Sequence, residues 1–191
     1  MTILEILSYP NKELTKISTD VEIFDDSISI LNGPQATSLS KFLDDMKDTL
    51  ETYRGIGLAA PQVGVLKNII IVDCSKIADD DPVTHKPYEM INPKILEKSG
   101  KFLFTESCLS INGYYTEVER SSKIKVQYFN RNGEEKILEA NGLLSGCIQH
   151  ELDHLLGVLF VDRLSNLKKE IFKKKYKKFQ KQIEQYNNAN Y

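Results

Sequence analysis

Cysteine and histidine are scarce in this chain, three of each in 191 residues, and each scarcity narrows what the protein can be. An odd number of cysteines, at positions 74, 108 and 147, argues against a disulfide framework. No apolar run approaches the roughly 20 residues that a membrane span needs, so no membrane association is expected. The opening MTILEILSYPNKEL has the form of neither a signal peptide nor an Arg/Ser-rich transit sequence, and the expected compartment is the cytoplasm. Internal repeats and an interior linker are missing too, which leaves one domain with a sizeable core. What is present fits that picture: 41% hydrophobic and 9% aromatic residues exclude a disordered chain.

Charge is unevenly spread. The formal net charge is −2, yet residues 168–191 carry eight lysines against two glutamates, which leaves the rest of the chain acidic. An acidic body and a basic tail are expected to meet different partners.

Hydrophobic periodicity outlines the elements. Pro10 and Asn11 open a short helix over NKELTKIS. The segment 38–54 places Leu39, Phe42, Leu43, Met46, Leu50 and Tyr53 at helical spacing, with Ser38 or Ser40 as N-cap. GIGLAAPQVG (55–64) reads as a Gly/Pro-punctuated loop, NIIIVDC (68–74) as a buried strand, and residues 76–87 as a polar surface loop. Further strands are expected at Tyr88–Ile91, Lys123–Phe129 and Glu135–Ala140, the last two joined by a turn at Asn132-Gly133. A helix is expected from Gly142 to Leu156, stopped by Gly157, and another over 165–186. The sum is an α+β domain with a helical tail.

Two of the three histidines fall in one run, CIQHELDHLLG. On a helix, His150 and His154 sit about 40° apart around the axis and about 6 Å along it. Two imidazoles on one stripe can grip one divalent metal, with Glu151 on the flank beside it. Such a metal brings the pKa of bound water toward neutrality, and a glutamate can take the proton. The competing explanation is an ordinary helix face that holds no metal.

Two histidines do not close a metal site. His85 lies in the polar loop without context. Cys147 lies about 20° from His154 around the helix, but its side chain points toward the N-terminus and a metal between the histidines lies roughly 7–8 Å away along the axis. Cys147 is therefore expected on a pocket wall or in the core, and Cys74, ending an apolar strand, in the core. Cys108, in TESCLSINGYY, stands in irregular sequence after a strand. From there a thiolate could approach from another element, though nothing local singles it out.

Three segments taken in order decide more than any one of them. Gly55-Ile56-Gly57-Leu58-Ala59-Ala60-Pro61-Gln62, Glu106-Ser107-Cys108-Leu109-Ser110 and Gln149-His150-Glu151-Leu152-Asp153-His154 resemble the GxGLAxxQ, EGCLS and QHExDH motifs of the peptide deformylase family. The resemblance runs from ILSYPNKELTKIS to about residue 164. It implies a catalytic domain over 1–164 and a basic helical extension over 165–191. The implied fold has mostly antiparallel strands around a central metal-binding helix, plus a C-terminal helix. The implied reaction is hydrolysis of the N-formyl group from the initiator methionine of new polypeptides. The implied cofactor is one divalent ion held by Cys108, His150 and His154: ferrous iron in the cell, with zinc, nickel or cobalt able to take its place. A host that formylates initiator methionine is implied as well, hence a bacterial-type cytoplasm; a monomer is expected.

Each position then has a task. Metal-bound water attacks the formyl carbon, with Glu151 as general base and then as acid toward the departing amine. By resemblance, the Gln62 side-chain amide and the Leu109 backbone N–H receive the developing oxyanion; loss of one such donor commonly costs about 3–4 kcal/mol of barrier. Gly55 and Gly57 are turn residues, or let an extended peptide pair with the backbone like an added strand. Ile56 and Cys147 would shape a pocket for the methionine side chain, or simply pack the core. Asp153 is assigned a structural role, and Glu106 and Arg120 are expected to form an ion pair. Ser107 departs from the family glycine. If that position has φ > 0, serine strains the loop by about 1 kcal/mol or more; if it needs only small size, serine is tolerated.

In the tail, Ile171, Tyr176, Phe179 and Ile183 recur at roughly helical spacing with lysines on the other faces. A helix docked on the domain and an RNA-binding helix fit this pattern, while the apolar stripe is narrow for a membrane-surface helix. Deformylases with a C-terminal helix use it on the ribosome near the exit tunnel, and the resemblance implies that partner here. Two other functions remain in view. A His-Glu-x-x-His metallopeptidase would need a downstream ligand, for which only Asp162 and Glu170 are near. A non-catalytic ribosome-associated protein would make Glu151 dispensable.

Overall fold

The computed structural model describes residues 2–22, 38–75, 77, 83 and 86–189. His85 and most of the 76–87 loop lie outside them. Helix α1 (Leu39–Thr52) starts at Ser38, whose Oγ accepts from the Lys41 N–H at 3.2 Å, a typical N-cap. The apolar stripe read from sequence is buried from Leu39 to Leu50, while Tyr53 caps the C-terminal end and is exposed. Strand β1 (Gly57–Ala59) follows, then a 3-10 turn (Ala60–Val63) and β2 (Ile69–Val72). GIGLAAPQVG is thus not a loop throughout: Leu58 and Ala59 pair antiparallel with Ile71 and Ile70, and that ladder gives the short segment a strand conformation.

Strand β2 is buried on both faces, which explains its unbroken Ile-Ile-Ile-Val. Ile69 and Ile71 pack with Phe42, Leu43 and Met46 of α1, whereas Ile70 and Val72 face Leu144, Cys147 and Ile148 of α2 (Gly142–Leu155). Strands β3 (Tyr88–Ser99), β6 (Lys123–Phe129) and β7 (Glu135–Asn141) complete an antiparallel sheet in the order β1-β2-β3-β6-β7. The Asn132-Gly133 turn stands between β6 and β7, with Gly133 at φ 73°. Strand β3 runs eight residues beyond the expected Ile91, because Lys94–Ser99 pair with β6 across register shifts.

A second sheet was not expected. Strands β4 (Phe102–Cys108) and β5 (Ile111–Arg120) form a hairpin. Its exposed face alternates weakly, with Leu103 and Tyr115 in solvent, so period-two hydrophobicity is faint there. Helix α2 lies against the large sheet on one side and β4 on the other. It ends where expected, with Leu156 as cap and Gly157 at φ 69°.

Helix α3 (Asn166–Ala189) is docked, not free. Phe172 and Tyr176 are buried with Leu14, Cys108, Ile111 and Phe160 in a third cluster, with Phe179 half-buried beside them. The apolar stripe is one residue off the sequence expectation at its start: Ile171 and Ile183 are exposed, and Phe172 takes the inward position four residues before Tyr176. Seven of the tail's eight lysines remain exposed.

Candidate active site

His150 and His154 stand one turn apart on the buried face of α2. The hairpin delivers the third group, since Cys108 is the last residue of β4 and not part of an irregular stretch. Ligand atoms of Cys108, His150 and His154 all lie within 4.8 Å of one another, with Cys108 Sγ 3.2 Å from His154 Nε2. A tetrahedral ion with sulfur at about 2.3 Å and nitrogen at about 2.0–2.1 Å holds such atoms about 3.5 Å apart, so the three residues fit one ion. They are the only such group of His, Cys and acidic residues among the described residues. Cys147 contributes no ligand; it packs against Cys74, as its reach required.

Glu106 fixes the orientation of one ligand. Its carboxylate accepts from His150 Nδ1 at 2.6 Å and from Arg120 through Nε at 2.5 Å and Nη2 at 3.0 Å. Nε2 of His150 is thereby left for the ion, the usual carboxylate–histidine–metal arrangement. The expected Glu106–Arg120 pair is present and extends further: Arg120 Nη1 donates to Asp153 at 2.6 Å, and Arg163 holds the same carboxylate from outside. Asp153 points into this network and away from the ligands, in keeping with a structural role. Nothing in the local pattern points from Glu106 to His150, although an acid two residues before the cysteine on one strand shares its face.

Electrostatics follow from this burial. Burial alone would raise the Glu106 carboxyl, but hydrogen bonds from His150 and Arg120 bring it below its usual range. His150 is likewise opposed by burial, yet hydrogen bonding to Cys108 and Glu106 lifts its pKa well above the ordinary value. His154 is pushed well down, first by burial and then by the charges of His150 and Arg120. Ligation needs the thiolate and neutral imidazoles, so ion binding is coupled to proton release. Burial raises Glu151 to about 7. Its Oε2 and His154 Nδ1 have no hydrogen-bond partner among the described residues, so one oxygen of the carboxyl is uncommitted inside the site.

A cavity of about 480 Å³ opens over these groups. Gly55, Ile56 and Gly57 line one wall, Ser107, Cys108 and Leu109 the other, and Cys147, His150 and Glu151 the floor. Gln62 is buried among them: its Oε1 accepts from the Ala59 N–H at 2.8 Å, and its Nε2 donates to Ser110 Oγ at 3.2 Å and Cys108 Sγ at 3.4 Å. That fixes the amide with its NH₂ toward the thiolate. Leu109 occupies the turn between β4 and β5, where Cys108 pairs with Ile111. Ser107 sits exposed at a register shift between Glu106 and Cys108. It is not among the positive-φ residues, so the strain expected of a left-handed serine does not arise. Arg54, Ile77 and Phe104 also line the cavity. The sequence pointed to none of them, since none carries a motif.

The model of the polypeptide deformylase family matches residues 3–170. The chain belongs to the polypeptide deformylase family. A peptide deformylase of Helicobacter pylori strain HPAG1 is 46% identical over 184 residues, covering 95% of this chain and 98% of that protein. The crystal structure of a peptide deformylase from Legionella pneumophila superposes with a TM-score of 0.79 at 38% identity, covering 94% of this chain and 96% of the other. The Ehrlichia chaffeensis peptide deformylase in complex with actinonin gives 0.81 at 38% identity, covering 93% and 98%. The deformylase fold expected from the motifs is therefore the fold of this enzyme, and the Cys108, His150 and His154 group accords with a metal-dependent member.

Proposed function

We propose that this deformylase removes the N-formyl group from the N-terminal formylmethionine of newly synthesised polypeptides and releases formate. The observation that carries this is the convergence of Cys108, His150, Glu151 and Gln62 on one cavity beside an open sheet edge, with His154 against Cys108. Among the described residues strand β1 pairs with β2 alone, so its other edge, toward the cavity, suits an extended peptide added as a strand. Ile56 and Cys147 would then border the methionine side chain. Cys108, His150 and His154 would hold the ion, ferrous in the cell and replaceable by zinc, nickel or cobalt, which would supply an activated water and a Lewis acid.

Glu151, poised near neutrality by burial, takes the proton of the attacking water and passes it to the departing amine. The Gln62 Nε2 and the Leu109 N–H donate to the oxygen as charge gathers there. Arg120 and Glu106 act earlier, by holding His150 in place. The test is anaerobic incubation of the iron-loaded enzyme with a formyl-Met peptide and with its acetyl counterpart. Formate from the first and no cleavage of the second is expected; stoichiometric metal without formate would sink the substrate assignment.

The exposed lysines of residues 165–191 favour the ribosome near the exit tunnel as the partner of this extension, where the substrate emerges in a bacterial-type cytoplasm. Binding should weaken steeply with salt. Co-sedimentation with ribosomes that is indifferent to salt, or absent, would count against it.

A further inference from the structure

Two of the three thiols lie outside the metal site, and they face each other. Cys74, two residues past β2, and Cys147 on α2 have their sulfur atoms 3.6 Å apart. Both are free cysteines in the core cluster between the large sheet and α2, 1% and 3% exposed. Core packing alone does not require two adjacent sulfurs from different elements. Cys147 also lines the cavity, which gives a small molecule a route toward this thiol although bulk solvent hardly reaches it.

We propose that Cys74 and Cys147 are an oxidisable dithiol that hydrogen peroxide, entering through the cavity, closes to a disulfide in the folded protein. In the first step the Cys147 sulfur attacks one peroxide oxygen, slowly, because its hydrogen bond with Cys74 and then burial hold the thiol well above its ordinary pKa. The S–O bond forms, the O–O bond breaks, and the departing hydroxide leaves as water with the thiol proton. In the second step the Cys74 sulfur attacks the sulfenic sulfur. The S–S bond forms, the S–O bond breaks, and a second water carries off the Cys74 proton. Two thiols are oxidised and one peroxide is reduced to two waters.

The 3.6 Å separation must shrink by about 1.5 Å to reach disulfide length. Closure draws the Cys147 sulfur back from the cavity and tethers α2 to the end of β2. Because Cys74 stands ready as the resolving thiol, oxidation of Cys147 stops at the disulfide, short of the irreversible sulfinic acid.

The test uses zinc-loaded full-length protein, so that Cys108 is held as a metal ligand and no redox-active ion is present. Hydrogen peroxide is added, free thiols are blocked, and peptides are mapped by mass spectrometry without reduction. The expected product joins the Cys74 and Cys147 peptides at a mass about 2 Da below their sum, and dithiothreitol restores both thiols. In Cys74→Ala, Cys147 should instead accumulate as sulfinic acid under the same treatment. Two outcomes would overturn the proposal: no joined peptide in the native protein, or a joined peptide that forms only after unfolding in urea. The readout is a mass, so it stands apart from the formyl-peptide reaction: failure of either leaves the other intact.

Discussion

Gly57 has no side chain because Glu151 occupies the space one would fill: a Cβ built there overlaps the Glu151 carboxyl. The glycine therefore does more than admit a peptide to the β1 edge; it lets the acid sit against the strand. Gly57→Ala should keep its metal and its fold but lose at least tenfold in kcat, because a displaced base is no longer within reach of the water's proton. Unchanged kcat at matched metal content would show that the contact is unimportant. Gln62 makes a different case. Its Oε1 is fixed by the Ala59 N–H, so its NH₂ is aimed before substrate arrives, and preorganised donors of this kind are worth about 10²–10³ in kcat. Gln62→Leu should lose that factor with metal retained; loss confined to KM would make Gln62 a ground-state contact only.

At the scale of elements, the buried network joining the hairpin to α2 is the most vulnerable feature. Arg120 pairs with Glu106 beside His150 and shares Asp153 with Arg163. Removing one partner of such a buried pair costs about 3–5 kcal/mol, since the buried Glu106 carboxylate is left without its arginine. Arg120→Met should show that loss in urea denaturation; a change below 1 kcal/mol would mean that solvent reaches the carboxylates. The docked tail gives a sharper contrast. Phe172→Ala should cost about 3–5 kcal/mol, while Ile171→Ala, one position earlier on the exposed face, should stay within about 0.5 kcal/mol. Equal effects would contradict the docking of α3 through Phe172. Ile171 and Phe172 are adjacent, so the sequence shows a stripe but leaves its phase open by one residue. Only contact with Leu14 and Phe160 settles it.

For the whole molecule, local pattern went far where burial was one-sided and repetitive. Helix α1 with its serine cap, the buried Ile-Ile-Ile-Val strand, the β6–β7 hairpin and the glycine stop of α2 all follow from periodicity and turn chemistry. The β4–β5 hairpin did not, because one face meets solvent and the cavity instead of a continuous core. The site divides along the same line. The histidine pair is a property of one helix and can be read from spacing. The third ligand is a property of the fold: a thiolate 42 residues before His150 in the chain arrives only because β4 lies against α2, and only the family resemblance singled it out beforehand. The partnership of Glu106 with His150 was beyond local pattern for the same reason.

The role proposed for Glu151 is to move the proton in a metal-dependent deformylation. Its most direct test is anaerobic formate release from a formyl-Met peptide by wild type and Glu151→Ala at equal metal content. The expected result is one metal bound in both proteins, brisk release by wild type, and a loss of about 10²-fold or more in the variant. A variant that keeps its metal and still turns over at the wild-type rate would contradict the claim.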